Sequence, residues 1–429
     1  MTVTLRSLEL AVPDTELAQQ ELRDVFLAQP GLSRLGTRLV SSAFDNSGIE
    51  RRYSALTEWG EDATNEDPVF FDAATHAFLN PTTGARNQVF AREATELYVR
   101  TAAAALEACE GLDAADVTHV ITVSCTGFFA PGPDYRIVRA LGLDPSVQRY
   151  HLGFMGCYAA FPALRQAQII CRADPDAVVL VVTAELCTLH VRTSDDPDTI
   201  VGSSLFADGA AAAVITGRDL PTDRPVLTLD HFETVLTPVG EEAMAWNIGD
   251  HGFEMVLGTY VPHIIDEHIT GALAPLLAHD PTLAQRDYSE IEHWAIHPGG
   301  RSILDKVEAR LGLSAEQLIP ARDTLRDYGN MSSATVMFVL KHILEGESAD
   351  AEERICAMAF GPGLTVESAL MTRVPGRAAS PRRSPAAARI TPVGPTGTSE
   401  GTAPGEKAAG MTGTADAASG SRRAPASTP

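Results

Sequence analysis

The chain has 429 residues, 45% of them hydrophobic and 21% charged, with a formal net charge of −23. That length and apolar share support one large or two medium domains around a sizeable core. The acidic balance argues against nucleic acid as a partner, because phosphate contacts need a basic face, and no apolar run approaches the roughly 18–20 residues of a membrane helix. Six cysteines, at 109, 125, 157, 171, 187 and 356, form no Cys-x-x-Cys pair. That argues against a zinc site and against a disulfide framework. Residues 1–9 lack a basic start followed by an apolar stretch, so no secretory signal is expected and the setting reads as a reducing cytoplasm.

Taken in chain order, apolar spacing predicts an amphipathic helix over 16–27. Residues 49–53, Ile-Glu-Arg-Arg-Tyr, are a basic and aromatic island. Residues 61–85 read as loop. A long helix is expected over 87–109 and a strand over 117–123. Residues 124–136 leave that strand through a loop and open another helix. The unbroken apolar run 178–183 suits a strand buried on both faces, and 206–209 leads into a further buried strand over 210–216. Strands alternating with helices give the α/β pattern.

A polar, proline-bearing stretch at 218–226 sets a boundary between two halves, 1–225 and 226–375. The second half is expected to hold helices over 258–278, 302–312 and 332–345, with strands over 292–296, 355–360 and 364–372. Residues 376–429 are Ala, Gly, Pro, Ser and Thr with few large apolar side chains, so a disordered tail is expected. Residues 373–429 carry eight Arg or Lys against three Asp or Glu. The body is therefore more acidic than the whole, and an anionic substrate needs a local basic patch such as Arg51 and Arg52.

The stretch 151–157, His-Leu-Gly-Phe-Met-Gly-Cys, delivers Cys157 to the start of a helix that runs on through 163–170. A thiol there sits in the positive end of the helix dipole, near unpaired N–H groups, which favours thiolate and suits a nucleophile. Pro162 is expected to distort or delay the helix start. A lone cysteine is more often a buried structural residue, so its partners decide. His297 follows an apolar strand and precedes Pro-Gly-Gly. Ser302 and Asp305 then have capping-box spacing, and Ile303, Val307 and Leu311 share a helical face. A histidine at the C-terminal end of a buried strand is where α/β proteins place catalytic groups, though a satisfied core histidine fits as well. Asn330, in Tyr328-Gly-Asn-Met-Ser-Ser333, taken alone reads more readily as a helix N-cap. Together they make a Cys-His-Asn set. The cysteine attacks a thioester, the histidine holds it as thiolate, and the asparagine donates to a developing oxyanion or enolate. Papain-like proteases use the same three residue types, but with a tryptophan beside the nucleophile, where this chain has Tyr158.

The blocks Gly156-Cys-Tyr-Ala159 with Leu164-Arg165, Leu205-Phe-Ala-Asp-Gly-Ala210, His297-Pro-Gly-Gly300 with Ile303-Leu-Asp-Lys-Val-Glu308, Tyr328-Gly-Asn-Met-Ser-Ser-Ala334, and Phe360-Gly-Pro-Gly-Leu-Thr-Val-Glu367 occur in one order to about residue 372. In this the chain resembles the type III polyketide synthases of the chalcone synthase superfamily, as a bacterial-like member. The resemblance implies a thiolase-like fold, with two similar α/β halves layered α-β-α-β-α. It implies an acyltransferase that condenses an acyl-CoA starter with malonyl-CoA units and closes a pyrone or phenolic ring, as a homodimer and with no metal or redox cofactor. Cys157 would carry the thioesters, and His297 and Asn330 would drive decarboxylation. Phe206 matches the aromatic gatekeeper, Gly361 and Pro362 a cavity-shaping loop, and Arg51 and Arg52 the CoA entrance. The chain departs from the plant pattern at Cys125, Ala130 and Cys187, in place of threonine, methionine and threonine, at His190, and at Met255 in place of a second gatekeeper phenylalanine. Ala130 falls in the segment that reaches the partner subunit's cavity in the family. Smaller side chains there suggest a medium or long aliphatic starter. The nearest alternatives are a ketoacyl synthase III making one condensation with acyl carrier protein and a non-enzymatic thiolase-fold partner, with a cysteine protease more distant.

Overall fold

Unbroken apolar strands build the centre of the molecule. The structure is a computed structural model and describes residues 1–59, 67–258, 260–347 and 351–376. The expected tail beyond 376 and residues 61–66 of the expected loop lie outside the described residues. Strands Val178–Leu186 and Asp208–Thr216 are buried at every position. Side chains alternate across a strand, so Val179, Val181, Ala211 and Ala213 enter one core. Leu180, Val182, Ala212 and Val214 enter the other. The helix Thr83–Glu107 covers the second face and the helix Ala160–Ala173 the first.

One nine-stranded sheet carries the fold. Its order is His293–Ile296, Glu353–Gly361, Thr365–Val374, Val226–Leu236, Thr4–Ala11, Asp208–Thr216, Val178–Leu186, His119–Ser124 and Gln148–Gly153. The arrangement repeats. His119–Ser124 pairs parallel with Val178–Leu186, then antiparallel strands follow. His293–Ile296 pairs parallel with Glu353–Gly361, and antiparallel strands follow again. The two series meet at Thr4↔Thr228 and Leu5↔Leu227. The helix Thr335–Glu345, with Val336, Met337, Val339 and Leu340 fully buried, packs into the same core as Ala160–Ala173. No helix among the described residues is long and apolar enough to cross a membrane.

Several expectations need correction. The first residues of the predicted helix 16–27 instead form the strand Thr15–Ala18, paired with Arg51–Ser54, and the helix is Gln19–Leu27. Ladder pairing there outweighs helical spacing. The long helix starts at Thr83 because the Thr82 hydroxyl accepts from Ala85 N at 3.3 Å. Ser302 and Asp305 make no capping box: Arg301–Leu311 begins at Gly300 without a side-chain cap. Pro162 delays nothing. It lies in the first turn of Ala160–Ala173, where its missing N–H would have been unpaired anyway. The hairpin Met244–Gly249 with Gly252–Leu257 is unanticipated and forms its own two-stranded sheet.

Candidate active site

Cys157 lies in the turn just before the helix Ala160–Ala173, held by Ala159 N donating to Gly156 O and Phe161 N to Tyr158 O. Two close approaches fix this turn. Gly156 has φ +84°, and a Cβ there would lie 2.5 Å from Pro362 Cδ. A Cβ on Gly361 would lie 2.5 Å from the Tyr158 ring. Gly156→Ala therefore combines left-handed strain with a clash. It is expected to cost about 2–4 kcal/mol of stability and to move the Cys157 turn, lowering both thermal midpoint and turnover. A variant with unchanged midpoint and turnover would refute this.

His297 directly follows its strand and extends the ladder, with its N donating to Met358 O at 2.8 Å. The side chain is 1% exposed, yet neither ring nitrogen has a hydrogen-bond partner. Buried polar atoms are normally paired, so these two leave hydrogen-bonding capacity open in a residue that lines a cavity. Asn330 is pinned to Phe206 by backbone bonds: Asn330 N donates to Leu205 O and Ala207 N to Asn330 O, both at 2.9 Å. Its Oδ1 accepts from Ser332 N at 2.9 Å, which aims Nδ2 at Gly299 O, 3.3 Å away, and toward Cys157.

Cys157, His297 and Asn330 thus line one largely apolar cavity, together with Phe206, Cys125, Cys187, Met255 and Pro362. A second cavity shares Cys187, Phe206, Trp246 and Met255 with it, so those four side chains form a partition. Burial sets the local electrostatics. It pushes the Cys157 thiol up to about 11, against opposing hydrogen bonds from Ser332 and Asn330, and pushes the His297 imidazolium down to about 3.

Other expected site residues fall elsewhere. Arg52 does not stand at an entrance. It is 1% exposed, and its Nη1 donates to Ser203 O and Phe206 O at 2.9 and 2.7 Å. It braces the Phe206 backbone from behind. Arg51 is exposed, pairs with Asp327 at 3.2 Å and lines neither cavity. Ala130 is exposed in its loop and outside this chain's cavity, so it widens no wall here. The hairpin residues Met244, Trp246 and Leu257 occupy the wall instead. Gly361 lies behind the wall and lets its strand approach Tyr158.

The sequence reading missed a polar underlayer. Glu185 is fully buried and accepts from Ser124 Oγ, Thr126 Oγ1, Ser333 Oγ and Cys125 N at 2.5–3.2 Å. Burial nevertheless raises its pKa. Trp246 Nε1 donates to Cys125 O at 2.8 Å and ties the hairpin to the cavity. His190 donates from Nε2 to Thr126 O, accepts at Nδ1 from Phe253 N, and stacks on Phe253 at 4.2 Å. Both ring nitrogens are used, and burial holds it neutral, with a pKa of about 3. Among the described residues no group of His, Cys, Asp or Glu has a metal-binding arrangement.

Residues 2–219 match the N-terminal domain of chalcone and stilbene synthases, and residues 229–375 match the C-terminal domain. The crystal structure of PKS-I from the brown alga Ectocarpus siliculosus is similar at 28% identity and TM-score 0.78, over 87% of this chain and 98% of that one. The C-terminal type III polyketide synthase domain of Steely1, a type I/III hybrid from Dictyostelium, is similar at 28% identity and TM-score 0.78, over 87% and 100% of the two chains.

Proposed function

The chain belongs to the chalcone and stilbene synthase family and is a type III polyketide synthase, and we propose that Cys157, His297 and Asn330 carry its chemistry. The observation behind this is the shared cavity. A thiol at a helix start, an imidazole with two free nitrogens and an oriented amide converge in one apolar space.

In the proposed cycle the Cys157 proton passes to His297, and the sulfur attacks the carbonyl of an acyl-CoA. The CoA thiolate leaves and recovers the proton. Malonyl-CoA then loses carbon dioxide. The electrons of the broken bond enter an enolate, whose oxygen accepts hydrogen bonds from the His297 N–H and Asn330 Nδ2. Apolar walls favour this step, because a carboxylate in a dry cavity is less stabilised than in water. The enolate carbon attacks the Cys157 thioester and expels the thiolate, and repeated cycles lengthen the chain until it cyclises to a pyrone or phenolic ring. The freed Cys157 thiolate regains one proton from water for each carbon dioxide lost, and no step changes a metal or redox state, so the proposed cycle uses no metal or redox cofactor.

Phe206, Cys187, Met255 and Cys125 shape the substrate space in this reading, with Pro362 behind the nucleophile. The halves are read as 1–225 and 226–375. A second copy of the chain is the proposed partner. The strand Gln148–Gly153 ends the sheet with one edge open, beside exposed Tyr150 and Phe128 and the loop bearing Ala130. An unpaired edge of that kind is a ready pairing surface. The free cysteines agree with a reducing cytoplasmic setting. The test is incubation with an acyl-CoA and malonyl-CoA without carrier protein. Products extended more than once are expected. A strict requirement for acyl carrier protein with a single condensation would favour a ketoacyl synthase III activity instead.

A further inference from the structure

Three free thiols, Cys125, Cys157 and Cys187, line the catalytic cavity, and the proposed cycle uses only one. Cys125 is the best placed of the others. Its Sγ lies 3.2 Å from Ser332 Oγ, and the same hydroxyl is near enough to the Cys157 sulfur to oppose the upward push of burial on its pKa. One small side chain therefore neighbours both thiols. All the parts are fixed by the backbone. Cys125 N donates to Glu185 and Cys125 O accepts from Trp246 Nε1. Ser332 has φ 49° and its N donates to Asn330 Oδ1. Cys187 makes no such link to Ser332.

We propose that Cys125 and Cys157 form an oxidisable dithiol site, in which hydrogen peroxide attacks at Cys157 and Cys125 resolves the product to a disulfide. The inference rests on the reading of Cys157 as the ionisable nucleophile. The Cys157 thiolate takes one oxygen from peroxide, giving a sulfenic acid and releasing hydroxide. The Cys125 sulfur then displaces that oxygen as water and forms the S–S bond. Two thiols and one peroxide give one disulfide and two waters. The bond needs the sulfurs about 2.05 Å apart, so in this proposal the two cysteine side chains turn toward each other and the Ser332 hydroxyl gives up its contact with Cys125. The modified enzyme has no free nucleophile, and a thiol reductant restores it. Without the resolving thiol, Cys157 proceeds to sulfinic acid, which such reductants do not reverse.

The experiment treats the full-length enzyme with two equivalents of hydrogen peroxide, without CoA substrates, and maps its peptides under non-reducing conditions. A cross-linked peptide pair carrying residues 125 and 157 is expected, with activity lost and then restored by dithiothreitol. Cys125→Ser and Cys125→Ala should give no cross-link and a Cys157 peptide bearing two added oxygens, while Cys187→Ser should keep the cross-link. Wild-type enzyme that yields sulfinic acid at Cys157 with Cys125 unmodified, or a 157–187 cross-link, would overturn the proposal. The map reads sulfur chemistry and not turnover. Failure of the nucleophile assignment would show separately, as condensation surviving in Cys157→Ala.

Discussion

Replacing Cys157 by alanine is expected to abolish polyketide formation, by about 10⁴-fold or more, while malonyl-CoA still loses carbon dioxide. The two steps use different groups. Chain transfer needs a sulfur to hold the acyl group. Decarboxylation needs donors to the enolate oxygen, and both residues keep anchors other than the sulfur: His297 N donates to Met358 O, Asn330 Nδ2 donates to Gly299 O and Asn330 Oδ1 accepts from Ser332 N. The variant should stay folded, because Cys157 is half-buried and the turn is fixed by Gly156, Gly361 and Pro362. Release of carbon dioxide and product mass, measured on the same sample, check the split. Extended product from the alanine variant, or decarboxylation lost in proportion, would contradict it.

The second large effect is expected at His297. Ionised alone, each group would be a bare charge among apolar walls, which is why burial drives the thiol up to about 11 and the imidazolium down to about 3. Moving the proton from sulfur to ring is a different event. It leaves the cavity neutral and creates opposite charges that attract. The thiolate population at neutral pH therefore depends on His297. Wild-type inactivation by iodoacetamide should be rapid near neutral pH. In His297→Gln the thiol loses its proton acceptor while burial still outweighs the opposing Ser332 and Asn330 hydrogen bonds, so its reactivity should rise only in the alkaline range, toward 11. The same variant should decarboxylate malonyl-CoA about 10²–10³-fold more slowly, the usual cost of one donor to a developing oxyanion. Identical alkylation profiles for the two proteins would show that the ring does not take the proton.

What the sequence made legible follows from how each feature is encoded. The strands over 178–186 and 208–216 are apolar runs buried on both faces, and such runs are local. Cys157, His297 and Asn330 sit in short glycine-bearing blocks, so their neighbours announce them. The arginine pair was misread for a reason the sequence did contain. In a strand, adjacent side chains face opposite ways, so Arg51 points to solvent and Arg52 into the core beneath Phe206. Glu185 and Ser332 had no local signal. Their surroundings come from segments about 60 to 200 residues away. The hairpin of Trp246 and Met255 was hidden because its strands are short and only partly buried. A cavity wall of that kind depends on what it closes over, not on its own pattern.

The most direct test of the central claim is the chemical state of Cys157 during turnover. Wild-type enzyme mixed with an acyl-CoA starter and malonyl-CoA, quenched within one turnover and digested, should yield a peptide holding Cys157 with the starter attached as a thioester. Further forms of the same peptide should be longer by successive acetate units. Both should vanish on treatment with hydroxylamine, which cleaves thioesters. An unmodified Cys157 peptide under conditions where extended product accumulates would contradict the account.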